Sequence, residues 1–216
     1  MSSPAPALQI KRLGHVDYQP TWEAMRTFSR SRDADTPDEL WLLEHPPVFT
    51  LGLAGKPEHL LRETGIPLVQ IDRGGQITYH GPGQAVIYVL LDLHRHGIKV
   101  RELVQLLERA VLNLLADYGI SGELRDGAPG VYVGPAKIAA LGLKITNGCS
   151  YHGLSLNVDM DLAPFSAINP CGYPGLATTQ LRDFGVTDSL DTVLDKLAAQ
   201  LARLLETHNA AAPTAA

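Results

Sequence analysis

An almost entirely apolar run of nine residues, AVIYVLLDL at 85–93, directly follows a glycine-rich segment, RGGQITYHGPGQ at 73–84. The apolar run is typical of a buried strand, which we predict over 84–93. Four glycines in the preceding segment leave backbone N–H groups uncovered and permit positive φ angles, so that a ligand can approach the main chain closely. The two segments together predict a central strand bordered by a ligand-binding wall. An ordinary glycine-rich hairpin is the alternative.

Strand-like segments cluster along the chain instead of alternating regularly with helices. Besides 84–93, strands are predicted at 40–44, 48–53, 67–72, 130–133, 137–145 and 150–158. Helices are predicted at 21–31 with Thr21 as N-cap, at 100–118 ended by Gly119, and at 190–205 capped by Thr187 or Ser189. This order favours an α+β fold, a mixed or antiparallel sheet flanked by helices on one face, over a doubly wound fold.

The composition is that of an ordinary globular protein. A length of 216 residues suits a single catalytic domain, 1–216, of which we expect about 8–207 to be ordered and the two small-residue termini, 1–7 and 209–216, to be disordered. A formal net charge of −5, without a concentrated basic run, argues against binding to nucleic acid or to a membrane surface. The first residues do not read as a signal peptide and no apolar run approaches the ~20 residues of a membrane span, so we expect a cytoplasmic protein.

Cys171 is the candidate nucleophile. It lies in NPCGYPG at 169–175, where prolines and glycines predict a tight, irregular turn that leaves the thiol on a loop. Cys149 adjoins a predicted strand and is expected to be a buried core thiol. Two cysteines are too few for a disulfide framework, so both are expected to be free in a reducing compartment.

A nucleophilic thiol needs a base or a cation nearby, because a cysteine with a pKa of about 8.5 is only slightly ionised at neutral pH. The sequence offers His80, His152, Lys137 and Lys144. Lys137 stands in GPAKIAALG, an apolar setting in which burial would lower the lysine pKa toward roughly 7 to 8 and make it a competent base. The alternative is a lysine at a strand end that reaches water. Residue types alone leave both a Cys–His and a Cys–Lys pair open.

Other familiar sites receive little support. The glycine-rich segment lacks the GK[ST] ending of a Walker A loop and the spacing of a GxGxxG fingerprint, so it does not predict a phosphate cradle. No GxSxG sequence indicates a serine hydrolase. Cys149, His152, Cys171 and His80 are of zinc-ligand types, but their spacing is atypical of zinc sites, and we predict no metal and no other cofactor.

Four ordered motifs give these residues a common context. RGGQITYHGPGQ at 73–84, AKIAALGLKI at 136–145, YHGLSLNV at 151–158 and NPCGY at 169–173 closely resemble those of the bacterial lipoyl(octanoyl) transferases, over about residues 40–185. The resemblance implies an α+β fold similar to the catalytic core of lipoate and biotin protein ligases. It also implies transfer of an octanoyl group from octanoyl-acyl carrier protein, through a cysteine thioester, to a specific lysine of lipoyl domains in lipoate biosynthesis.

The resemblance further implies the roles of individual residues. Cys171 corresponds to the acyl-thioester nucleophile, and Lys137 corresponds to the lysine that tunes it. The positions that correspond to the acyl-substrate site are Arg73, Gly74, Gly75, Gln76, Ile77, Thr78, Tyr79, His80, Ala140, Leu141, Gly142, Gly153, Leu154 and Ser155. Ser155 stands where alanine is the more usual residue, which concerns only the fine shape of the pocket. Backbone amides near Gly172 and His80 are expected as oxyanion donors.

The implied acyl acceptors are the lipoyl domains of 2-oxoacid dehydrogenase E2 subunits and the glycine cleavage H protein, and no ATP is needed. Two alternatives stand beside this reading. An ATP-dependent lipoate or biotin protein ligase of the same fold would activate a free acid as an acyl-adenylate and would not need Cys171. A catalytically silent protein would bind acyl carrier protein or lipoyl domains without turnover.

Overall fold

The computed structural model of the protein describes residues 7–211, except for the side chains of residues 171 and 211. Within that range the chain forms nine strands and four α-helices, which are β1 (Gln9–His15), α1 (Tyr18–Ser31), β2 (Glu39–Glu44), β3 (Val48–Leu51), β4 (Leu68–Gln70), β5 (Ile77–His80), β6 (Gln84–Leu90), α2 (Leu93–His96), α3 (Val100–Asp117), β7 (Val131–Val133), β8 (Ala136–Thr146), β9 (Cys149–Asn157) and α4 (Leu190–Ala211). Of these helices, none is long and apolar enough to cross a membrane.

The strands form two sheets. The larger sheet has the order β1-β2-β6-β9-β8-β7, and its pairs are antiparallel except for the parallel edge pair β1–β2. The smaller sheet has the order β4-β3-β5, with β3 parallel to β4 and antiparallel to β5. Mixed sheets with flanking helices confirm the predicted α+β class.

Helices cover both faces of the larger sheet, so the prediction that they lie on one face is wrong. Leu42 of β2 and Ile87 of β6 belong to the core that α3 and α4 cover. Their neighbours Trp41 and Tyr88 point to the opposite face, where Met25 of α1 packs against them. Successive side chains of a strand point to opposite faces. Strands that are apolar at every position therefore need cover on both sides.

The strongest periodic patterns gave the most accurate element bounds. Helix α3 was predicted to within one residue, and Gly119 follows it with φ +73°, the conformation that favours glycine after a helix. The predicted strands at 40–44, 130–133, 137–145 and 150–158 are confirmed to within one residue at each end. The strands at 48–53, 67–72 and 84–93 are shorter than predicted and end at Leu51, Gln70 and Leu90; shortly after Leu90 the chain enters α2.

Helix ends were predicted less well. Helix α1 begins at Tyr18, three residues earlier than predicted, and Thr21 is not its N-cap: its hydroxyl donates to the carbonyl of Asp17 at 2.7 Å. Ser189 accepts from the amide of Thr192 at 3.2 Å and so caps α4, as one of the two alternatives proposed. Helix α4 continues to Ala211, so residues 209–211 belong to it. Of the predicted disordered ends, residues 1–6 and 212–216 lie outside the described residues.

Two strands were missed, and one of them decides the topology around the glycine-rich segment. Edge strand β1 is mostly exposed and lacks an apolar signal. Strand β5 lies inside the glycine-rich segment but pairs with β3 of the smaller sheet, whereas β6 pairs with β2 and β9 of the larger one. The hairpin alternative is therefore wrong. The chain crosses between sheets at Gly83, where φ is +82° and a Cβ atom would lie 1.9 Å from the carbonyl oxygen of Asp159.

Candidate active site

A cavity of about 410 Å³ opens where the two sheets meet. This volume is in the usual range for small-molecule sites. The described residues that line it are Tyr18, Arg73, Gly74, Gly75, Gln76, Ile77, Thr78, His80, Val86, Tyr88, Val100, Val104, Gly127, Ala128, Pro129, Lys137, Ala140, Leu141, Gly142, Leu143, His152, Gly153, Leu154, Ser155 and Tyr173. Most of these residues have apolar side chains or are glycines, so the cavity is largely apolar with a few polar groups.

Thirteen of the fourteen predicted acyl-substrate residues line this one cavity, although they come from three separate segments of the chain. Tyr79 lies outside the described lining. Its ring packs on the other side of β5, against Phe49 at 5.6 Å and Phe165 at 5.4 Å between ring centroids. Thr78 and His80 flank it and line the cavity, because neighbouring side chains of a strand alternate in direction.

Lys137 is buried at the start of β8, with only 4 % of its surface exposed. Its Nζ donates to the carbonyl of Pro129 at 2.9 Å and lies 5.2 Å from the ring centroid of Tyr132. The loop that carries this carbonyl is itself held from α3, because the amide of Gly130 donates to Glu108 Oε1 at 3.1 Å. The alternative of a lysine that reaches water is therefore wrong.

The backbone around Cys171 adjoins Lys137. A short 3₁₀ helix, Pro170–Gly172, carries the cysteine. In the segment that follows, the carbonyl of Ala177 accepts from the amide of Lys137, and the amide of Thr179 donates to the carbonyl of Lys137. Pro170 and Lys137 also share the lining of a small second cavity. The two predicted catalytic residues, 34 positions apart in sequence, thus lie on neighbouring stretches of main chain; the Cys171 side chain lies outside the described part of the structure.

The amides predicted as oxyanion donors next to Cys171 are already engaged. The N–H of Gly172 donates to the carbonyl of Asn169 at 2.9 Å, and the N–H of Tyr173 donates to the carbonyl of Pro170 at 3.1 Å. These two bonds close the 3₁₀ turn. In this conformation, neither amide is free to receive a developing negative charge, so the structure does not support that part of the prediction.

His80 is neutral and fixed in one tautomer. Gln84 donates from Nε2 to Asn157 Oδ1 at 2.9 Å, so its Oε1 must accept, and His80 Nδ1 donates to it at 2.7 Å. Burial lowers the pKa of His80 to about 3. A neutral imidazole supplies no positive charge to stabilise a thiolate, and one with so low a pKa is a weak base. His80 is therefore a poor candidate for the base that the Cys171 thiol needs.

His152 is held by Asp72, a residue that the sequence did not single out. Asp72 accepts from Trp22 Nε1 at 2.9 Å, from the hydroxyl of Tyr151 at 2.5 Å and from His152 Nε2 at 3.2 Å. Burial lowers the pKa of His152. Burial would raise the pKa of Asp72, but its three hydrogen bonds outweigh this effect and hold the pKa of Asp72 well below its usual range. The contact is therefore a hydrogen bond from a neutral imidazole to a carboxylate. An aspartate directly before RGG was the available signal.

The guanidinium of Arg73 forms hydrogen bonds within the protein. Its Nη2 donates to the carbonyl and the hydroxyl of Thr50, both at 2.9 Å, and its Nη1 donates to the carbonyl of Gly74 at 2.8 Å. Its Cδ packs so closely on Gly142 that a Cβ atom there would lie 2.7 Å away. Arg73 thus ties the glycine-rich segment to β3 of the smaller sheet and β8 of the larger one.

Cys149 is buried, as predicted, and lies outside the described cavity lining. Burial raises the pKa of its thiol, which makes it less reactive than an ordinary cysteine. Among the described side chains, no three His, Cys, Asp or Glu residues gather as metal ligands.

Comparison with known proteins assigns the family. Residues 17–202 match the family model of the lipoyl protein ligase A/B catalytic domain. The chain is 67 % identical over 200 residues to the octanoyltransferase of Aromatoleum aromaticum. The aligned region covers 93 % of this chain and 87 % of that protein. The chain belongs to the octanoyltransferase family. A second family member, from Dechloromonas aromatica, is 66 % identical over 200 residues, with 93 % of this chain and 98 % of that protein covered.

Solved structures support the same fold at much lower identity. Lipoate-protein ligase A bound with ATP superposes with a TM-score of 0.72 at 19 % identity, covering 93 % of this chain and 85 % of that one. Biotin protein ligase from Aquifex aeolicus superposes with a TM-score of 0.58 at 14 % identity, covering 94 % and 72 %. The fold shared with lipoate and biotin ligases, predicted from the four motifs, is confirmed, and so is the resemblance to octanoyltransferases.

Proposed function

We propose that this chain, acting as one catalytic domain in the cytoplasm, moves an octanoyl group from octanoyl-acyl carrier protein to a lysine of lipoyl domains. Octanoyl transfer in lipoate biosynthesis follows from the family; the residues and partners are our proposal. The proposed acceptors are the lipoyl domains of 2-oxoacid dehydrogenase E2 subunits and the glycine cleavage H protein. The observation that carries the proposal is Lys137, buried in the cavity wall beside the backbone segment of Cys171.

In the first step, Lys137 takes the proton of the Cys171 thiol, and the thiolate attacks the carbonyl carbon of the octanoyl thioester. The new bond joins Cys171 to the acyl group while the bond to the pantetheine sulfur breaks. The departing thiolate receives the proton from Lys137. One thioester replaces another, so the step needs no external source of energy.

In the second step, the amine of an acceptor lysine attacks the acyl-enzyme. An amide bond forms, the bond to Cys171 breaks, and the amine proton passes to the thiolate through Lys137. An amide is far more stable than a thioester, so this step is strongly downhill. Lys137 thus serves as base and acid in turn, a contribution typically of 10² to 10⁴ in rate for a positioned group.

The cavity is the proposed site of the acyl chain. Leu141, Leu143 and Leu154 contribute apolar wall, and Gly142 and Gly153 contribute backbone to the lining. Each CH₂ group that leaves water contributes about 0.8 kcal/mol to binding. The glycine-rich segment forms the opposite wall, which Arg73 holds in place.

The test is incubation of the protein with octanoyl-acyl carrier protein in the absence of ATP. The intact mass should increase by one octanoyl group, and hydroxylamine should remove the adduct as expected of a thioester. Cys171→Ser should abolish the hydroxylamine-sensitive adduct, whereas Cys149→Ser, the matched change at a buried cysteine outside the described cavity lining, should retain it. No adduct on the wild type would contradict the proposal.

The same experiment separates the alternatives. A ligase of this fold would form an adduct on a lipoyl domain from free octanoate only when ATP is added. A silent binding protein would bind acyl carrier protein or lipoyl domains without turnover in any variant. Discharge of the acyl-enzyme onto purified E2 lipoyl domain and onto H protein, followed by mass spectrometry, tests the proposed acceptors.

A further inference from the structure

The cavity has an exposed rim and a buried inner end. Val100 and Tyr173 at the rim are each 45 % exposed, whereas Tyr18 and Tyr88 at the inner end are 5 % and 4 % exposed. Lys137 belongs to the rim end, because its Nζ bonds to the exposed rim loop at Pro129. If the thioester reacts beside Lys137, the acyl chain runs inward and its terminal methyl group meets the tyrosine end.

Tyr88 is held firmly from behind. Its hydroxyl donates to His45 Nε2 at 2.7 Å, because His45 Nδ1 is committed as donor to the carbonyl of Val16 at 2.6 Å. His45 is fully buried and lies outside the described cavity lining. A tyrosine anchored at its hydroxyl by a buried partner has little freedom to swing away from a ligand.

The side chains around Tyr88 are anchored in the same manner. Tyr18 stacks on His80 with ring centroids 5.8 Å apart and planes at 16°, and His80 is bonded to Gln84. His152 meets the Tyr88 ring edge-on at 6.1 Å and is bonded to Asp72. The inner end is therefore lined by aromatic rings that pack against one another. Hydrogen bonds to buried residues restrain Tyr88, His80 and His152, so these side chains do not move readily to admit a longer ligand.

The strand register places no side chain next to Tyr88 on the two neighbouring strands. Tyr88 of β6 pairs with Gly153 of β9, which pairs with Gly142 of β8, so two of its neighbours across the sheet have no side chain. Arg73 closes the far side over Gly142. Val86, two residues before Tyr88 on the same face of β6, is fully buried in the lining. A Cβ atom at Gly153 would lie 2.1 Å from the carbonyl oxygen of Ile87, so the protein itself fills the space over both glycines. Val86 and Tyr88 are therefore the β6 side chains that an acyl chain in the cavity meets.

We propose that Tyr88, held by His45, sets the maximum length of the acyl chain that the enzyme accepts. This inference rests on the proposed function of the cavity as the acyl site. It assigns chain-length selectivity to a residue outside the four sequence motifs. Each methylene that does not fit an apolar pocket typically costs about tenfold or more in kcat/KM.

The experiment measures acylation rates with hexanoyl-, octanoyl-, decanoyl- and dodecanoyl-acyl carrier protein. The wild type should prefer octanoyl over decanoyl by about tenfold or more. Tyr88→Val should raise the decanoyl-to-octanoyl rate ratio by about tenfold, because it removes the wall. Val86→Leu adds bulk in front of the wall and should instead raise the hexanoyl-to-octanoyl ratio.

Tyr79→Val is the matched control, since it makes the same change at a buried tyrosine whose ring faces away from the cavity. It should lower the melting temperature without altering any chain-length ratio. Unchanged ratios in folded Tyr88→Val would overturn the inference while leaving the proposed function intact. If Tyr88→Val does not fold, Val86→Leu decides in the same way. Failure of the wild type to form any octanoyl adduct would instead overturn the proposed function.

Discussion

Lys137 and Thr178 form a parallel backbone bridge beside the cavity. The amide of Lys137 donates to the carbonyl of Ala177 at 2.8 Å, and the amide of Thr179 donates to the carbonyl of Lys137 at 3.0 Å. The main chain thus ties the proposed base to the segment that follows the proposed nucleophile. Because the bridge uses no side chain, substitutions at Lys137 can change the chemistry while leaving the two segments together.

Lys137→Arg should lower the rate of Cys171 acylation by about 10²- to 10⁴-fold, because arginine keeps the charge but does not give up a proton in proteins. Time-resolved intact mass measurement with octanoyl-acyl carrier protein checks this. Lys144→Arg, the same change on the same strand but outside the described cavity lining, should acylate at the wild-type rate. A wild-type rate in Lys137→Arg would show that Lys137 acts only as a cation or a spacer.

Glu108→Ala should reduce acylation although Glu108 lies outside the described cavity lining. Glu108 is buried on α3 and accepts from Gly130, which keeps the adjacent Pro129 carbonyl in place for Lys137. Loss of this anchor should lower kcat by about tenfold, because small displacements of a catalytic group are costly. Glu108→Gln retains an acceptor and should restore most of the activity. Equal defects in both variants would show that the hydrogen bond accepted from Gly130 is not what Glu108 contributes to activity.

Arg73→Ala should weaken use of the octanoyl substrate without preventing slow acylation of Cys171. It should also lower the free energy of unfolding by about 2 to 3 kcal/mol, because the hydroxyl and carbonyl of Thr50 lose charged partners. Denaturant unfolding and single-turnover acylation check the two effects. Arg109→Ala, an exposed position on α3, is the control and should show neither. Complete loss of acylation in a folded Arg73→Ala protein would mean that Arg73 takes part in the chemistry itself.

Asp72→Asn should destabilise the protein by about 1 to 3 kcal/mol at neutral pH, because three donors lose a charged acceptor. The pKa of Asp72 is lowered in the folded state from an ordinary value of 3.8. The stabilisation is therefore fully present above about pH 4 and is lost as the pH falls toward the folded-state pKa. Urea unfolding of both proteins at pH 7 and at pH 3 should show a smaller difference at pH 3. A difference independent of pH would contradict the assignment.

Helices and strands with a local sequence signal could be predicted accurately, whereas those held by distant pairing could not. Helix α3 repeats its apolar residues along one stripe, and Gly119 ends it, so its bounds could be read from neighbouring residues alone. Strand β1 has no such signal and is held by parallel pairing to β2, which lies 30 residues away in register. Strand β5 is short and polar, and only its pairing with β3 identifies it as a strand.

The residues of the site also differ in whether a local sequence signal identifies them. Arg73, Lys137 and Cys171 could be singled out because their residue types are unusual in glycine- and proline-rich or apolar surroundings. Tyr88 could not, because a tyrosine within a strand is ordinary in sequence, and the only signal for Asp72 was its place directly before RGG. Their importance comes from partners far along the chain: Asp72 meets Trp22 and Tyr151, and Tyr88 meets His45.

The sequence by itself determined the α+β class, the helix and strand patterns of the core, the family and its four motifs, because these depend on residue type and local spacing. The glycine-rich segment at 73–84 is predicted to be a ligand-binding wall, and residues 73–78 and 80 line the cavity, whereas Tyr79 and residues 81–84 lie outside its described lining. Only the tertiary structure decided that this segment divides between two sheets, that Lys137 is buried, and that Tyr88 lines the cavity at a buried position. These features arise from pairings between distant segments, and such pairings leave no trace in the local pattern of residues.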